Sequence, residues 1–219
     1  MKKYDAIIIG AGPAGHSCAV RIAELGGKVA IIERDYIGGI CTNWGCTPSK
    51  AMIESAKVAH EVENSSHYGV RVNGYQIDFP FIAQRRNNVV LNTREFITDL
   101  LHHHNVDIYQ GEAVIDSPQV VQVRHGRWNY DNYSMDYSGE IETLHTDNIV
   151  LATGSKPLIP GFIDESDPTI VSSHRLITID TLPEKLTIVG GGVIGLEMAA
   201  YYAVAGSRVT VVEMLDHIA

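Results

Sequence analysis

The sequence predicts an α/β fold in which a Rossmann-like nucleotide-binding domain is followed by the start of a second one. An apolar strand, a glycine-rich turn and a helix follow one another near residue 10, and the same arrangement recurs near residue 190. Between them, a Tyr-rich alternating stretch predicts an antiparallel β ribbon inserted beside the parallel sheet. We therefore expect a first domain at 1–155, a connection rich in Pro, Gly and acidic residues at 156–182, and an incomplete βαβ unit at 183–219.

The composition is typical of a globular protein and disfavours several kinds of partner. Of the 219 residues, 45% are hydrophobic and 20% are charged. A formal net charge of −9 disfavours binding to nucleic acid or to anionic membranes. No apolar run approaches the roughly 18 residues of a membrane-spanning helix. Three cysteines are too few for a disulfide-rich secreted scaffold, so the cytoplasm is the expected compartment.

The first glycine turn has the spacing of a dinucleotide-binding fingerprint. Gly10, Gly12 and Gly15 follow the strand-like YDAIIIG and open the helix-like HSCAVRIAELGG. In this pattern the glycines allow a tight turn, close approach of a pyrophosphate and close packing of helix on strand. Glu33 ends the next strand, 33 − 10 = 23 positions on, where a carboxylate can accept ribose hydroxyl groups. On these grounds the site could hold a flavin or a nicotinamide dinucleotide.

The second glycine turn repeats the first at a separation of 180 residues. Gly190, Gly192 and Gly195 lie between KLTIVG and LEMAAYYAVAGS, and Glu213 ends the following strand, again 213 − 190 = 23 positions on. Glu213 would repel a 2′-phosphate, and the adjoining VVEMLDHI has no Arg to accept one, so NAD is favoured over NADP. Two sites in one chain suggest two cofactors that exchange electrons.

Cys41 and Cys46 lie five positions apart within GGICTNWGCTPSK, a spacing that a disulfide can bridge only if the backbone departs from a regular helix. A disulfide needs Cα atoms about 4.4 to 6.8 Å apart, whereas five residues of regular helix rise about 7.5 Å. Pro48 and the nearby glycines supply a distortion, and a helix is predicted to begin at Pro48 with Thr47 as its N-cap. Cys46 then precedes the helix N-terminus, where the dipole and Lys50 favour a thiolate.

Several roles remain open for the two cysteines. Zinc normally takes four ligands, and this single Cys-x4-Cys has no second Cys pair, so no metal site is assigned. Two inert core thiols would have poor neighbours in Gly, Pro and Lys. A fixed structural disulfide conflicts with a reducing compartment. A redox-active pair is the favoured interpretation.

Two further helices are predicted from apolar periodicity. In AMIESAKVAHEVE, the residues Met52, Ala56 and Ala59 form an inward stripe. The stretch from FIAQRR to HHH predicts a second helix, with Val90, Ile97 and Leu101 facing inward.

The order of these motifs resembles the pyridine nucleotide-disulfide oxidoreductases, most closely their dihydrolipoamide dehydrogenase branch. GAGPAG, an acid-ended strand, GGICTNWGCTPSK, ATG and GGGVIGLE with a second acid-ended strand carry the resemblance across the chain. Thr42, Trp44 and Thr47 depart from the commonest residues of that family.

The resemblance implies FAD at the first site and NAD at the second, with particular residues at each. Cys46 would lie against the flavin, and Cys41 would exchange disulfides with the substrate. Lys50 and Glu197 would form a pair and are the remaining expected catalytic residues. The residues expected to bind FAD are Gly10, Gly12, Pro13, Ala14, Gly15, Glu33, Arg34, Gly39, Ile40, Cys41, Thr42, Cys46, Lys50, Ala113, Ala152, Thr153, Gly154 and Ser155. Those expected to bind NAD are Gly190, Gly192, Val193, Ile194, Gly195 and Glu213.

The resemblance further implies an FAD-dependent disulfide oxidoreductase that passes electrons from a dithiol, such as a lipoyl group, through the cysteine pair and FAD to NAD. Family members form homodimers and continue for about as long again, so the chain is expected to be a fragment that is inactive alone. The alternatives are a mercuric or other disulfide reductase, an NADH-linked transhydrogenase or oxidase, and, from another class, a truncated non-catalytic nucleotide- or metal-binding module.

Overall fold

A computed structural model describes residues 2–129, 134–164 and 166–219. Residues 130–133 of the predicted ribbon and residue 165 of the predicted connection lie outside these ranges. The chain divides into two compact units, one formed by Met1–Asn43 with Leu91–Lys156 and the other by Trp44–Val90 with Pro157–Ala219. The cofactor-based domain boundaries of the sequence analysis stay a prediction.

The first unit is built on five strands that pair around a closed circuit. The first strand pairs in parallel with the second and the fifth, and the second pairs in parallel with the third. The fourth strand is antiparallel to both of its neighbours. The strands are β1 (Lys3–Ile9), β2 (Val29–Glu33), β3 (Asp107–Ser117), β4 (Val120–Asn129) and β5 (Ser134–Leu151).

The third strand changes its partner in the middle. Gln110 pairs with Glu33 in the parallel part, and the next residue, Gly111, pairs with His125 in the antiparallel ribbon. The parallel sheet with an inserted antiparallel ribbon is therefore confirmed.

Two helices pack against β1 and β2, the strands that end at the first glycine turn and at Glu33. Helix α1 (Pro13–Glu24) follows β1, and the last part of α4 (Phe79–His103) packs against the same strands. The predicted inward residues Ile97 and Leu101 are buried with Ile8 and Ile31. Burial of these side chains fixes both helices on the sheet.

The second unit contains a two-stranded parallel sheet and helices that pack around aromatic side chains. Met52, Phe79, Met198, Tyr201 and Tyr202 form its core. The remaining predicted inward residues, Ala56, Ala59 and Val90, are also buried. Its elements are α3 (Cys46–Glu63), α5 (Ser173–Leu176), β6 (Lys185–Val189), α6 (Val193–Ala205) and β7 (Arg208–Val212), together with the first part of α4.

The predicted start of the cysteine helix is wrong by two residues. A short helix α2 (Gly39–Trp44) precedes it, and α3 begins at Cys46 with Gly45, not Thr47, as its N-cap. Gly45 has φ −135° and ψ −112°, which interrupts the helical path between the cysteines. Pro48 is tolerated as the third residue of α3 because the first N–H groups of a helix need no intrahelical acceptor.

Within residues 2–129, 134–164 and 166–219, no helix combines the length and the apolar character that crossing a membrane requires.

Candidate functional site

The first glycine turn leads directly into the uncapped N-terminus of α1. Gly12 is the N-cap residue and contributes no side-chain hydrogen bond, and Pro13 begins the helix. A Cβ atom on Gly12 would meet only the Cα of Gly39, at 3.9 Å, so the turn is open on this side. Free N–H groups and the helix dipole make such an N-terminus suited to a pyrophosphate.

Backbone of the ATGS segment covers the other side of this turn. Gly10 has φ +100°, and a Cβ atom there would overlap the carbonyl oxygen of Ala152. The N–H of Ala152 donates to the carbonyl of Ile9 at 2.9 Å, which continues the pairing of β5 with β1. Ala152 and Thr153 are thereby brought to the glycine turn, as the sequence analysis expected of residues of one site.

Glu33 holds the first turn in place. Its side chain is buried, and Oε2 accepts from the N–H of Ala11 at 2.7 Å while Oε1 accepts from the N–H of Asp35 at 2.8 Å. A carboxylate has about four acceptor positions, so these two bonds leave capacity for ribose hydroxyl groups. The acid therefore anchors the turn, a role that sequence analysis did not assign to it.

The second turn repeats this bond in the second unit. Glu213 Oε2 accepts from the N–H of Gly191 at 2.6 Å, and Oε1 accepts from the N–H groups of Met214 at 2.6 Å and Leu215 at 2.8 Å. The donors Ala11 and Gly191 are themselves 191 − 11 = 180 positions apart, like the glycines. A Cβ atom on Gly190 or Gly192 would meet no atom within 4 Å, so this turn is open.

The cysteines of the motif lie in consecutive helices. Cys41 is in the middle of α2 and is partly exposed, whereas Cys46 is the first residue of α3 and is exposed. Cys46 therefore lies at the positive end of the α3 helix dipole.

The segment that carries Cys41 is fixed by a polar network in the first unit. Asn43 is buried, and its Nδ2 donates to the carbonyls of Gly39 at 2.8 Å and Ile37 at 3.1 Å. Its Oδ1 accepts from Arg94 Nε at 3.0 Å and Nη2 at 2.6 Å.

An open depression of about 530 Å³ lies beside Cys46 in the second unit. Lys50 lies one helical turn beyond Cys46 and contacts Glu197, with Nζ and Oε1 2.6 Å apart. The expected pair is thus formed, with the Lys50 side chain 60% exposed and that of Glu197 32% exposed. The depression is lined by Cys46, Thr47, Lys50, Ala51, Glu54, Arg85 and Val89.

The other expected site residues differ in exposure and neighbours. Arg34 lies over the ring of Trp128, 4.9 Å from its centroid. Thr42 is buried against Gly38, and Ala113 pairs with Val123 in the ribbon. Gly39 and Ile40 are partly exposed, Gly15 is buried, Gly195 is partly exposed, and Pro13, Ala14, Gly154, Ser155, Val193 and Ile194 are exposed.

Sequence reasoning missed Asn43, Arg94, Arg85 and Trp128. A signal for Arg94 was present, since it lies four residues after Val90 and three before Ile97 on the predicted inward stripe of α4. A charged residue on a buried stripe requires a partner. Nothing in the sequence connected Trp128 with Arg34, because their contact depends on how the ribbon folds.

Among residues 2–129, 134–164 and 166–219, no group of three or more His, Cys, Asp or Glu side chains is placed to hold a metal ion.

Comparison with known proteins assigns the family. The profile of the Pyridine nucleotide-disulphide oxidoreductase family matches residues 4–219. The chain belongs to this family. Membership supports FAD as a cofactor.

Individual members of the family match the chain along nearly all of its length. A dihydrolipoyl dehydrogenase from Acholeplasma laidlawii is 37% identical over 99% of this chain and 61% of its own length. A dihydrolipoyl dehydrogenase from Chlamydia pneumoniae is 36% identical over 99% of this chain and 44% of its own. The chain therefore spans about half the length of the curated relatives it matches.

A solved structure supports the fold. The Cu(II) complex of the HOCl-induced flavoprotein disulfide reductase RclA from Escherichia coli superposes with a TM-score of 0.80 at 30% identity. The superposition covers 99% of this chain and 43% of that one.

Substituting Gly10 tests the close packing of the first turn. We expect Gly10→Ala to lower the free energy of unfolding by about 3 kcal/mol or more, because strain at positive φ is added to overlap with Ala152. Gly74→Ala is the matched control: φ is +85°, but no atom lies within 4 Å of the new Cβ, so a cost of only about 1 kcal/mol is expected. Urea denaturation measures both, and equal costs would contradict the packing of Gly10.

The carboxyl of Glu213 provides a pH test of the second turn. Backbone hydrogen bonds from Leu215, Gly191 and Met214 hold its pKa below the ordinary value of 4.5. Because the folded pKa is lowered, the carboxylate stabilises the fold above pH 4.5, and this stabilisation is lost as the pH falls through the folded pKa.

Side-chain carboxyl NMR should therefore give a midpoint below 4.5 for Glu213 in the folded chain, and an ordinary midpoint in the chain unfolded by urea. A folded midpoint at or above the unfolded one would contradict the bonded geometry.

Proposed function

We propose that the chain is the FAD- and NAD-binding part of a disulfide oxidoreductase of the dihydrolipoamide dehydrogenase type, which passes electrons from a dithiol through Cys41 and Cys46 and FAD to NAD. The observation that carries the proposal is the duplicated turn, in which a carboxylate bonds the backbone N–H after the first glycine at both Ala11 and Gly191. Two nucleotide sites of the same construction provide one place for each of two cofactors.

The first site fits a dinucleotide such as FAD. The open side of Gly12 and the uncapped α1 N-terminus would receive the pyrophosphate. The free acceptor positions of Glu33 would receive the adenosine ribose. The backbone of Ala152 and Thr153 covers one side of the turn at Gly10, so a ligand would approach from the other side, at Gly12.

The second site fits NAD. Gly190 and Gly192 leave the turn open for a pyrophosphate, and α6 begins at Val193 without a side-chain cap. Glu213 ends the adjoining strand, where its negative charge would repel the extra phosphate of NADP.

The cysteines would perform thiol–disulfide exchange. A substrate thiolate attacks Cys41 Sγ in the oxidised pair, the bond between the two cysteines breaks, and Cys46 leaves as a thiolate. The second substrate thiol then attacks the mixed disulfide, which yields the substrate disulfide and the Cys41 thiol. FAD, when bound, would supply an acceptor for the electron pair of this dithiol, and NAD, when bound, would supply the acceptor after it.

Two features of the second unit would assist this exchange. Cys46 begins α3, so the positive end of the helix dipole would attract the negative charge that develops on its sulfur as it leaves. The Lys50–Glu197 contact holds the ammonium group beside the same depression. As a surface pair it would contribute little to stability, so its proposed role is to fix the Lys50 charge.

The proposed substrate is a lipoyl dithiol, and the proposed assembly is a homodimer in the cytoplasm. The likeness to RclA at 30% identity favours a second candidate, a flavoprotein that reduces another disulfide. Comparing NADH turnover with lipoamide, glutathione, mercuric ion and oxygen as acceptors separates the two.

Reductive titration tests the proposed roles of the cysteines. We expect the purified protein to carry FAD and to develop a long-wavelength thiolate-to-flavin absorbance band after uptake of two electrons. Cys46→Ser should abolish this band, whereas the matched variant Cys41→Ser should show it before any reduction, because Cys46 is the cysteine assigned to the flavin and has no disulfide partner in that variant.

Absence of bound flavin would contradict the proposed function as a whole. Loss of the band in Cys41→Ser but not in Cys46→Ser would reverse the two assignments. Stoichiometric zinc without flavin would instead favour a metal-binding module.

A further inference from the structure

We propose that Arg94 is a positioning residue for residues 36–43, the segment that carries Cys41, and that it acts on Cys41 through Asn43. The inference rests on the proposed function, since it concerns the same cysteine pair. Arg94 lies on α4, more than forty residues beyond that pair in the sequence. All of the contacts that support the proposal lie within the first unit.

Arg94 binds the far end of the Cys41 segment. Its Nε and Nη2 both donate to Oδ1 of Asn43, at 3.0 Å and 2.6 Å. Asn43 is only 5% exposed, so water cannot readily replace Arg94 as the donor to its Oδ1. Hydrogen bonds from a charged donor are stronger than those between neutral groups, particularly at a buried acceptor.

Arg94 also binds the near end of the segment. Its guanidinium lies over the ring of Tyr36, 3.8 Å from the centroid. The ring face attracts the cation, which adds to the hydrogen bonds at Asn43. The Arg94 side chain therefore contacts Tyr36, which precedes Cys41, and Asn43, which follows it.

Asn43 transmits the contact to the backbone before Cys41. With Oδ1 held by Arg94, the amide nitrogen is directed at the carbonyls of Gly39 and Ile37. This arrangement closes the turn that begins α2, the helix that carries Cys41. Without Arg94 the amide group could rotate, and the turn would lose its stabilising donors.

The same turn is joined to the first nucleotide site. Gly38 donates its N–H to the carbonyl of Ala11 at 2.9 Å. A Cβ atom on Gly39 would come within 2.8 Å of the Cα of Gly12, so the two backbones are in close contact. Arg94 thus fixes Cys41 relative to the turn that would hold the cofactor phosphates.

Loosening this segment should alter the chemistry of Cys41. A positioned thiol has a higher effective concentration towards its partner than a mobile one. Loss of the clamp should shift the equilibrium with glutathione about tenfold towards the dithiol, which is the change expected for losing charge-assisted bonds. It should also raise the rate at which reagents reach the partly exposed Cys41.

Alkylation kinetics tests the clamp without enzymatic turnover. In a Cys46→Ser background, Arg94→Gln should increase the alkylation rate of Cys41 by iodoacetamide about tenfold, whereas Cys18 on α1 should change less than twofold. Arg94→Lys retains the charge but not the planar double contact, so it should show a smaller increase. Arg21→Gln removes an exposed positive charge on α1 and should change neither rate.

A double-mutant cycle shows whether Arg94 acts through Asn43. Asn43→Ala alone should raise the Cys41 rate about as much as Arg94→Gln alone. Adding Arg94→Gln to Asn43→Ala should then change the rate less than twofold. Additive effects would overturn the proposed route, and an unchanged Cys41 rate in Arg94→Gln would overturn the proposal.

The glutathione equilibrium, measured with both cysteines present, separates this proposal from the proposed function. A wild-type chain that forms no disulfide between Cys41 and Cys46 contradicts the redox function. A wild-type disulfide whose stability is unchanged in Arg94→Gln contradicts the positioning role instead. If Arg94→Gln fails to fold, Arg94→Lys decides, with faster amide exchange at Gly38 and Gly39 as the supporting result and unchanged exchange as the contrary one.

Discussion

The carboxylate of Glu33, at the end of β2, accepts a hydrogen bond from the glycine turn that follows β1. The candidate site depends on this bond. Glu33 Oε2 accepts from the N–H of Ala11 at 2.7 Å, and hydrogen bonds to an ionised acceptor are stronger than those between neutral groups. The carbonyl of Ala11 in turn accepts from Gly38, where the cysteine segment begins. One residue, Ala11, thus joins the acid, the phosphate-binding turn and the path to Cys41.

This connection gives the order of the motifs in the sequence a physical reason. In the proposed function Cys41 must meet both the substrate and Cys46, so it has to be placed to within a fraction of an ångström, and short loops alone do not achieve that. Here the segment that carries Cys41 is fixed before the cysteine at Gly38 by the glycine turn, and after it at Asn43 by Arg94. The second turn repeats the bond from acid to backbone without a cysteine segment attached, which fits a site that would bind only a nucleotide.

Local patterns were sufficient to predict the repeated elements. Strands β1 and β2 and helix α1 have the apolar periods and glycine spacing that determine their structure. The predicted start of α3 at Pro48 is wrong because the first N–H groups of a helix need no intrahelical acceptor, so proline also fits at the third position. The Arg94–Asn43 contact could not be predicted, since it joins residues 51 positions apart whose proximity is set by the packing of α4.

The most direct test of the account is the mass of the tryptic peptide of residues 35–50, which contains both Cys41 and Cys46. After mild oxidation of the folded chain, we expect this peptide to be about 2 Da lighter through loss of two hydrogens, and dithiothreitol to restore its mass. Cys18, in a separate peptide, should remain a thiol. A peptide of unchanged mass, or a disulfide that joins Cys18 to either residue, would contradict a redox pair at Cys41 and Cys46.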